Sequence, residues 1–190
     1  MNRDTKVMLV GGPTGFGTSI IERFNADSYS RKSGFNINSS DVRQDICETS
    51  LKYDCVILHS YTDQNSQFEL LQSLAETWIQ TNHDAHLIVT GSISSYFESY
   101  KPDIKSIRYS ALKSGQDRMC KYLAKKCIDG KFKFKITVIK PGMLDTEKSR
   151  SKPHFTKGIS SDVFCDTLEF IMSLPKDIQI PELVLETTYA

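Results

Sequence analysis

No CxxC pair occurs among the five cysteines (Cys47, Cys55, Cys120, Cys127 and Cys165). Their odd number and scattered spacing offer neither a disulfide framework nor a tetrahedral metal site, so they read as free thiols of a reducing compartment and no metal is expected. An excess of one charge sign is also missing: 24 basic against 23 acidic residues leave a formal net charge of +1. No strong field draws such a chain to nucleic acid or to a membrane surface, and neither is expected as a partner. No apolar run approaches the roughly 20 residues needed to cross a bilayer. The start, Met1-Asn2-Arg3-Asp4-Thr5-Lys6, leads straight into a short apolar stretch without the pattern of a secretory signal, so the expected location is cytoplasmic. Repeats, low-complexity tracts and linkers are lacking too. The 190 residues are therefore expected to form one domain, 1–190, long enough for a sizeable core.

What is present is an alternation of short apolar runs with segments of helical period. Val7-Met8-Leu9-Val10 stops at glycines, as a buried parallel strand does. A helix follows with Ile20, Ile21 and Phe24 on one face. A weak second strand is expected over 27–31, then a polar loop over 32–40. Tyr53 to His59 reads as the next strand. A helix with Phe68, Leu71, Leu74, Ala75 and Trp78 follows, then the strand His86-Leu87-Ile88-Val89-Thr90. A helix is expected over about 109–127, packed through Leu112, Gly115, Met119, Tyr122 and Leu123. A strand ending at Pro141-Gly142, a helix with Phe164, Leu168 and Ile171, and an edge strand at Leu183-Val184-Leu185 complete the pattern. The fold class is α/β: a doubly wound, Rossmann-type parallel sheet of about six or seven strands with helices on both faces. Ligands of such sheets bind beyond the carboxyl ends of the strands, which points to the loops after Val10, His59, Thr90 and Ile139.

The loop Gly11-Gly12-Pro13-Thr14-Gly15-Phe16-Gly17 joins the first strand to the first helix. Gly11 permits the tight turn, Gly15 lets backbone approach a pyrophosphate, and Gly17 allows close packing. The exposed amides and the helix dipole then favour an anion, and Thr14 offers a hydroxyl. The position at a strand-to-helix junction distinguishes this loop from an unliganded glycine-rich turn.

Glycines at 11, 15 and 17 resemble the TGxxxGxG of the short-chain dehydrogenase/reductase family, with Val10 where the threonine stands. Further segments resemble that family in the right order: Ile88-Val89-Thr90-Gly91-Ser92, its serine-bearing strand; Tyr109-Ser110-Ala111-Leu112-Lys113, its YxxxK; and Pro141-Gly142-Met143-Leu144-Asp145-Thr146, its PGxxxT. On a helix, i and i+4 share a face, so Tyr109 and Lys113 project together. A nearby ammonium is expected to pull the phenol down toward the working range. The resemblance implies hydride transfer between a nicotinamide and a small carbonyl or alcohol. It makes Tyr109 the proton donor or acceptor, Ser92 the group that holds the carbonyl oxygen, Lys113 a partner of the nicotinamide ribose, and Thr146 a partner of the carboxamide. Ser94 and Ser95 follow closely enough that either could supply the hydroxyl. Pro141 and Gly142 would edge the cofactor cleft, and a homodimer or homotetramer is implied.

An acidic residue at the end of the second strand would bind a ribose 2′-hydroxyl. Tyr29-Ser30-Arg31-Lys32 instead offers a hydroxyl and two cations, which suits a 2′-phosphate. NADP(H) is expected ahead of NAD(H). Asp45-Ile46 resembles the family's adenine-side pair and reads equally as a helix cap or turn.

The family's NNAG is replaced by His59-Ser60-Tyr61-Thr62, of which His59 and Ser60 are placed at the cofactor, although His59 also reads as a loop or packing residue. The helical asparagine has only Asn65 and Asn82 as candidates. The stretch 143–160, where a substrate lid would lie, is short and carries Lys148, Arg150, Lys152, His154 and Lys157. These departures keep open an alternative: an NADP(H)-binding redox sensor or regulatory protein without turnover.

Overall fold

The computed structural model describes residues 5–60, 65–96, 103–153 and 155–188. Six strands form one sheet: β1 (Val7–Val10), β2 (Asp27–Tyr29), β3 (Cys55–Leu58), β4 (His86–Thr90), β5 (Lys135–Pro141) and β6 (Glu182–Leu185). Every pairing is parallel, in the order β2-β1-β3-β4-β5-β6. The order reverses between β1 and β3, which makes that junction the switch point of a doubly wound sheet.

Strand side chains alternate between faces, and each face has its own core. Val7, Leu9, Ile57, Ile88 and Ile139 pack under α1 (Phe16–Phe24), and under the later helix that carries Phe164, Leu168 and Ile171. Met8, Val10, Val56, Leu58, Leu87, Val89, Ile136 and Val138 pack under α2 (Ser40–Ser50), α3 (Ser66–Thr81) and α4 (Ile104–Ile128). Two helices follow β5: the short α5 (Glu147–Arg150) and the long α6 (Ser161–Ser173). Phe164, Leu168 and Ile171 on α6 are wholly buried, each contributing about 1.5–3 kcal/mol.

Three local expectations need correction. β2 stops at Tyr29 rather than 31, because Ser30 and Ser33 cap each other and turn the chain into one 3-10 turn, Arg31–Ser33. The expected loop gives way at Ser40 to a helix, α2, that the sequence reading missed. Finally, α4 begins at Ile104 and buries a stripe that keeps the expected Leu123 but adds Lys113, Gln116, Asp117, Cys120 and Ala124. Gly115 and Tyr122, expected on the packed face, are exposed. Among the described residues no helix is long and apolar enough to cross a membrane.

Candidate active site

The carboxyl ends of β1, β2 and β3 open onto a cavity of about 420 Å³ lined by Val10, Gly11, Gly12, Thr14, Tyr29, Ser30, Arg31, Lys32, Phe35, Ile37, His59 and Ser60. The glycine loop forms one wall. Gly15 has φ +55°, a conformation in which side chains are strained, and it caps α1, whose first turn has no acidic residue. A Cβ on Gly17 would lie 1.9 Å from the carbonyl oxygen of Gly12, so only glycine lets the loop fold back on the helix. Phe16 is corrected from its expected place: its ring is buried and meets Phe164 edge-on at 5.5 Å, leaving only its backbone to the loop. Pro13 is exposed.

The opposite wall comes from the end of β2. Arg31 and Lys32 are exposed at the cavity rim, and neither forms an ion pair with another described residue. Ser30 is buried, and its hydroxyl lies 3.2 Å from that of Ser33 within the cap. Tyr29, Phe35 and Ile37 were not foreseen as lining residues. Tyr29 and Phe35 meet edge-on at 4.7 Å, and the Tyr29 hydroxyl pairs with that of Tyr53 at 3.0 Å. Among the described residues no carboxylate lines the cavity. Asp45 and Ile46 are also corrected: both lie within α2, Ile46 is wholly buried in the core because it faces the sheet, and neither lines the cavity.

His59 joins this cavity to the next site. Its Nδ1 pairs with the Thr90 hydroxyl at 2.9 Å, and its ring packs against Phe164. Burial, helped by the charge of Lys113, pushes the ring down to about 4, so it is neutral near pH 7. The ring thus packs into the core while the residue also lines the cavity. Ser60 also lines the cavity, and its buried hydroxyl has no hydrogen-bond partner among the described residues. Tyr61 and Thr62 lie outside the described residues.

Beyond β4, Ser92 caps a 3-10 turn (Ile93–Ser95), its hydroxyl accepting from the Ser94 amide at 3.2 Å. The Ser92 side chain also lies close enough to the phenol of Tyr109 on α4 to favour its ionised form. Lys113, one turn on, is buried. Its Nζ donates to the Thr90 carbonyl (2.9 Å), Gln67 Oε1 (3.0 Å) and Gln116 Oε1 (3.2 Å). The structure thus brings together the three side chains expected from the sequence, with one correction. Burial raises the Tyr109 phenol above its ordinary value, and the Ser92 side chain offsets only part of that rise. Lys113 contributes no lowering of the phenol, and burial pushes its own ammonium down to about 8.

Gln67 and Gln116 are the site residues that sequence reasoning missed. Each occupies a buried helical stripe: Gln67 precedes Leu71 and Leu74, and Gln116 precedes Cys120 and Leu123. A polar residue at an apolar-periodic position was the available signal. Of the asparagines considered, Asn82 caps the end of α3 and Asn65 precedes its start.

Past Pro141 and Gly142, at the end of β5, the chain folds back on itself. Leu144 bridges Ile159, and Arg150 grips both carboxylate oxygens of Asp145 at 2.6 and 3.1 Å. Thr146 caps α5, with its hydroxyl 3.1 Å from the Ser149 amide. Its methyl would lie 3.8 Å from a Cβ on Gly15, so this loop sits over the glycine loop. Lys148, Lys152 and Lys157 are exposed; His154 lies outside the described residues.

No family model and no curated protein matches the chain. Solved structures do. The closed form of a serine dehydrogenase complexed with NADP+ is 14% identical, at a TM-score of 0.69, over 97% of this chain and 97% of that one. A short-chain dehydrogenase from Burkholderia cenocepacia in complex with NADP is 15% identical, at 0.72, over 98% and 90%. A 3-alpha-hydroxysteroid dehydrogenase from Pseudomonas complexed with NADH is 13% identical, at 0.72, over 95% of each. At such identities the likeness is one of fold: this chain has the Rossmann-type fold of the short-chain dehydrogenases/reductases.

Proposed function

We propose that this protein is an NADP(H)-dependent oxidoreductase of the short-chain dehydrogenase/reductase type, transferring hydride between the nicotinamide and a small carbonyl or alcohol. The observation that carries the reading is the Tyr109 phenol beside Ser92, with the buried Lys113 one helical turn on, next to a switch-point cavity walled by glycines. The cavity fits a dinucleotide phosphate. Among the described residues its lining holds two cations without ion-pair partners, no carboxylate, and a buried Ser60 hydroxyl without a hydrogen-bond partner. Gly11, Gly12 and Thr14 would receive the pyrophosphate at the start of α1, and Ser30, Arg31 and Lys32 the 2′-phosphate. Those cations favour NADP(H) over NAD(H), and the fold likeness, with relatives holding either form, leaves that choice to them.

When bound, the nicotinamide supplies or accepts the hydride. In reduction, Ser92 holds the carbonyl oxygen and steadies its growing charge, while Tyr109 gives that oxygen its proton. A phenol raised by burial keeps its proton at neutral pH, so the site is better disposed to reduce a carbonyl than to oxidise an alcohol. Lys113, anchored at the end of β4, would reach the ribose by exchanging one of its three oxygens.

One observation favours a second reading, a non-catalytic NADP(H) sensor: the Lys113 ammonium and the Thr146 hydroxyl are both engaged within the protein. NADPH consumption over a panel of small aldehydes and ketones separates the two. On the enzyme reading, Tyr109→Phe lowers turnover about a thousandfold and leaves NADPH affinity unchanged. Tight NADPH binding with no turnover by either protein would favour the sensor. Equal turnover by both would remove Tyr109 as the donor. The exposed Ile104, Ile107 and Tyr122 of α4 support a homodimer or homotetramer through that helix, measurable by light scattering.

A further inference from the structure

Lys140 is wholly buried near the end of β5, where an unpaired ammonium would be untenable. It is held by Asp117 Oδ1 of α4 at 2.7 Å and by Glu182 Oε1 of β6 at 2.8 Å. Lys121, also on α4, reaches Glu182 at 2.8 Å and Asp117 at 3.5 Å, so two cations balance two carboxylates. The buried Cys120 thiol is also within electrostatic reach of Lys140. Over the ammonium lies the ring of Tyr96, its centroid 3.7 Å from Lys140 Nζ and 5.4 Å from Lys121 Nζ.

Buried ion clusters often stabilise no more than apolar residues of the same volume would. What this one provides is direction. Tyr96 closes the turn that Ser92 opens, donating its amide to the Ile93 carbonyl at 2.9 Å. The turn also sits hard on β5: a Cβ on Gly91 would come within 2.9 Å of Val138 and 3.3 Å of the Lys140 stem. Ser114 Oγ fastens the end of the turn by donating to the Ser95 carbonyl at 3.0 Å.

We propose that Lys140 and Tyr96 are positioning residues: the buried ammonium seats the Tyr96 ring and thereby fixes the Ser92 hydroxyl against Tyr109. The catalytic part of this inference rests on the oxidoreductase reading; the placement of Ser92 does not. A cation–π contact to a wholly buried ammonium is strong enough to hold one turn in one orientation.

The test compares wild type with Tyr96→Leu, Tyr96→Phe and Lys140→Met. Removing the charge risks the fold, whereas Tyr96 is 46% exposed and its leucine variant keeps every ion pair. Two readouts are taken: the titration of the Tyr109 phenol by NMR on isotope-labelled tyrosine, assigned with Tyr109→Phe, and steady-state carbonyl reduction. With Ser92 released from the phenol, Tyr109 titrates at higher pH in Tyr96→Leu than in wild type. The same variant loses about tenfold in kcat, with NADPH affinity and the KM for the carbonyl within about twofold. Tyr96→Phe, which keeps the ring, restores both. An unmoved Tyr109 titration in folded Tyr96→Leu overturns the proposal. A wild type without turnover sinks the oxidoreductase reading alone, because the titration still reports where Ser92 lies.

Discussion

A guanidinium at the mouth of a cavity can fork onto a phosphate, and an ammonium beside it adds charge without direction. Arg31 and Lys32 stand in this way at the cavity rim, where a carboxylate would instead select a free 2′-hydroxyl. Replacing both by alanine is expected to weaken NADPH binding by ten- to a hundredfold, at about 1.5–3 kcal/mol for a charge-assisted contact, and to leave NADH affinity alone. Calorimetric titration of the double variant with each nucleotide checks this; equal losses for both would place the cations elsewhere than on the 2′-phosphate. At this scale the sequence was informative wherever chemistry demands a residue type at a fixed spacing. Gly15 and Gly17, and Tyr109 with Lys113, were legible because a positive φ or a helical i, i+4 pair leaves few alternatives. Tyr29, Phe35, Ile37, Gln67 and Gln116 were not, since their roles arise from long-range packing that no local spacing records.

Elements were legible when their apolar period was clean. The strand His86–Thr90 matches its expected bounds, and the α6 face of Phe164, Leu168 and Ile171 is buried as read. The missed helix α2 buries only Ile46, Cys47 and Ser50. Two apolar residues make too short a stripe to stand out from a polar loop. The face of α4 was misread for the opposite reason: its first buried turns carry Lys113, Gln116 and Asp117, whose burial is satisfied by oxygens and cations of other elements. What holds α2 in place is partly a single polar contact. Trp78 of α3, fully buried, donates its indole N–H to Ser50 Oγ at 2.8 Å, and Ser50 in turn donates to the Cys47 carbonyl at 2.6 Å. Ser50→Ala leaves that N–H unpaired in the core and is expected to cost about 1–3 kcal/mol in urea unfolding. A change near zero would mean that α2 docks through its apolar residues alone.

For the whole molecule, acid is the sensitive condition. Burial holds His59 at about 4 and His86 at about 3, each well below the ordinary imidazole value of 6.5. The unfolded chain takes up these protons first, so the stability tied to the neutral rings is complete above about pH 6.5. It is lost as the pH falls toward 4 and then 3, on the order of 3 kcal/mol for His59 and about 5 kcal/mol for His86. A His59→Asn, His86→Asn double variant should therefore lose much less stability than wild type between pH 7 and pH 4.5, as measured by urea unfolding. Parallel slopes for the two proteins would mean that other groups govern the acid limb.

The order of the sheet sets what this molecule is built to hold, because the reversal between β1 and β3 opens the cavity and brings His59, Thr90 and Lys113 into one chain of contacts toward Ser92 and Tyr109. The most direct measurement is a paired calorimetric titration of the purified protein with NADPH and NADH. NADPH bound at least about tenfold more tightly than NADH is the predicted result. Tighter NADH binding would contradict the assignment of Ser30, Arg31 and Lys32, and binding of neither nucleotide would contradict the oxidoreductase reading itself.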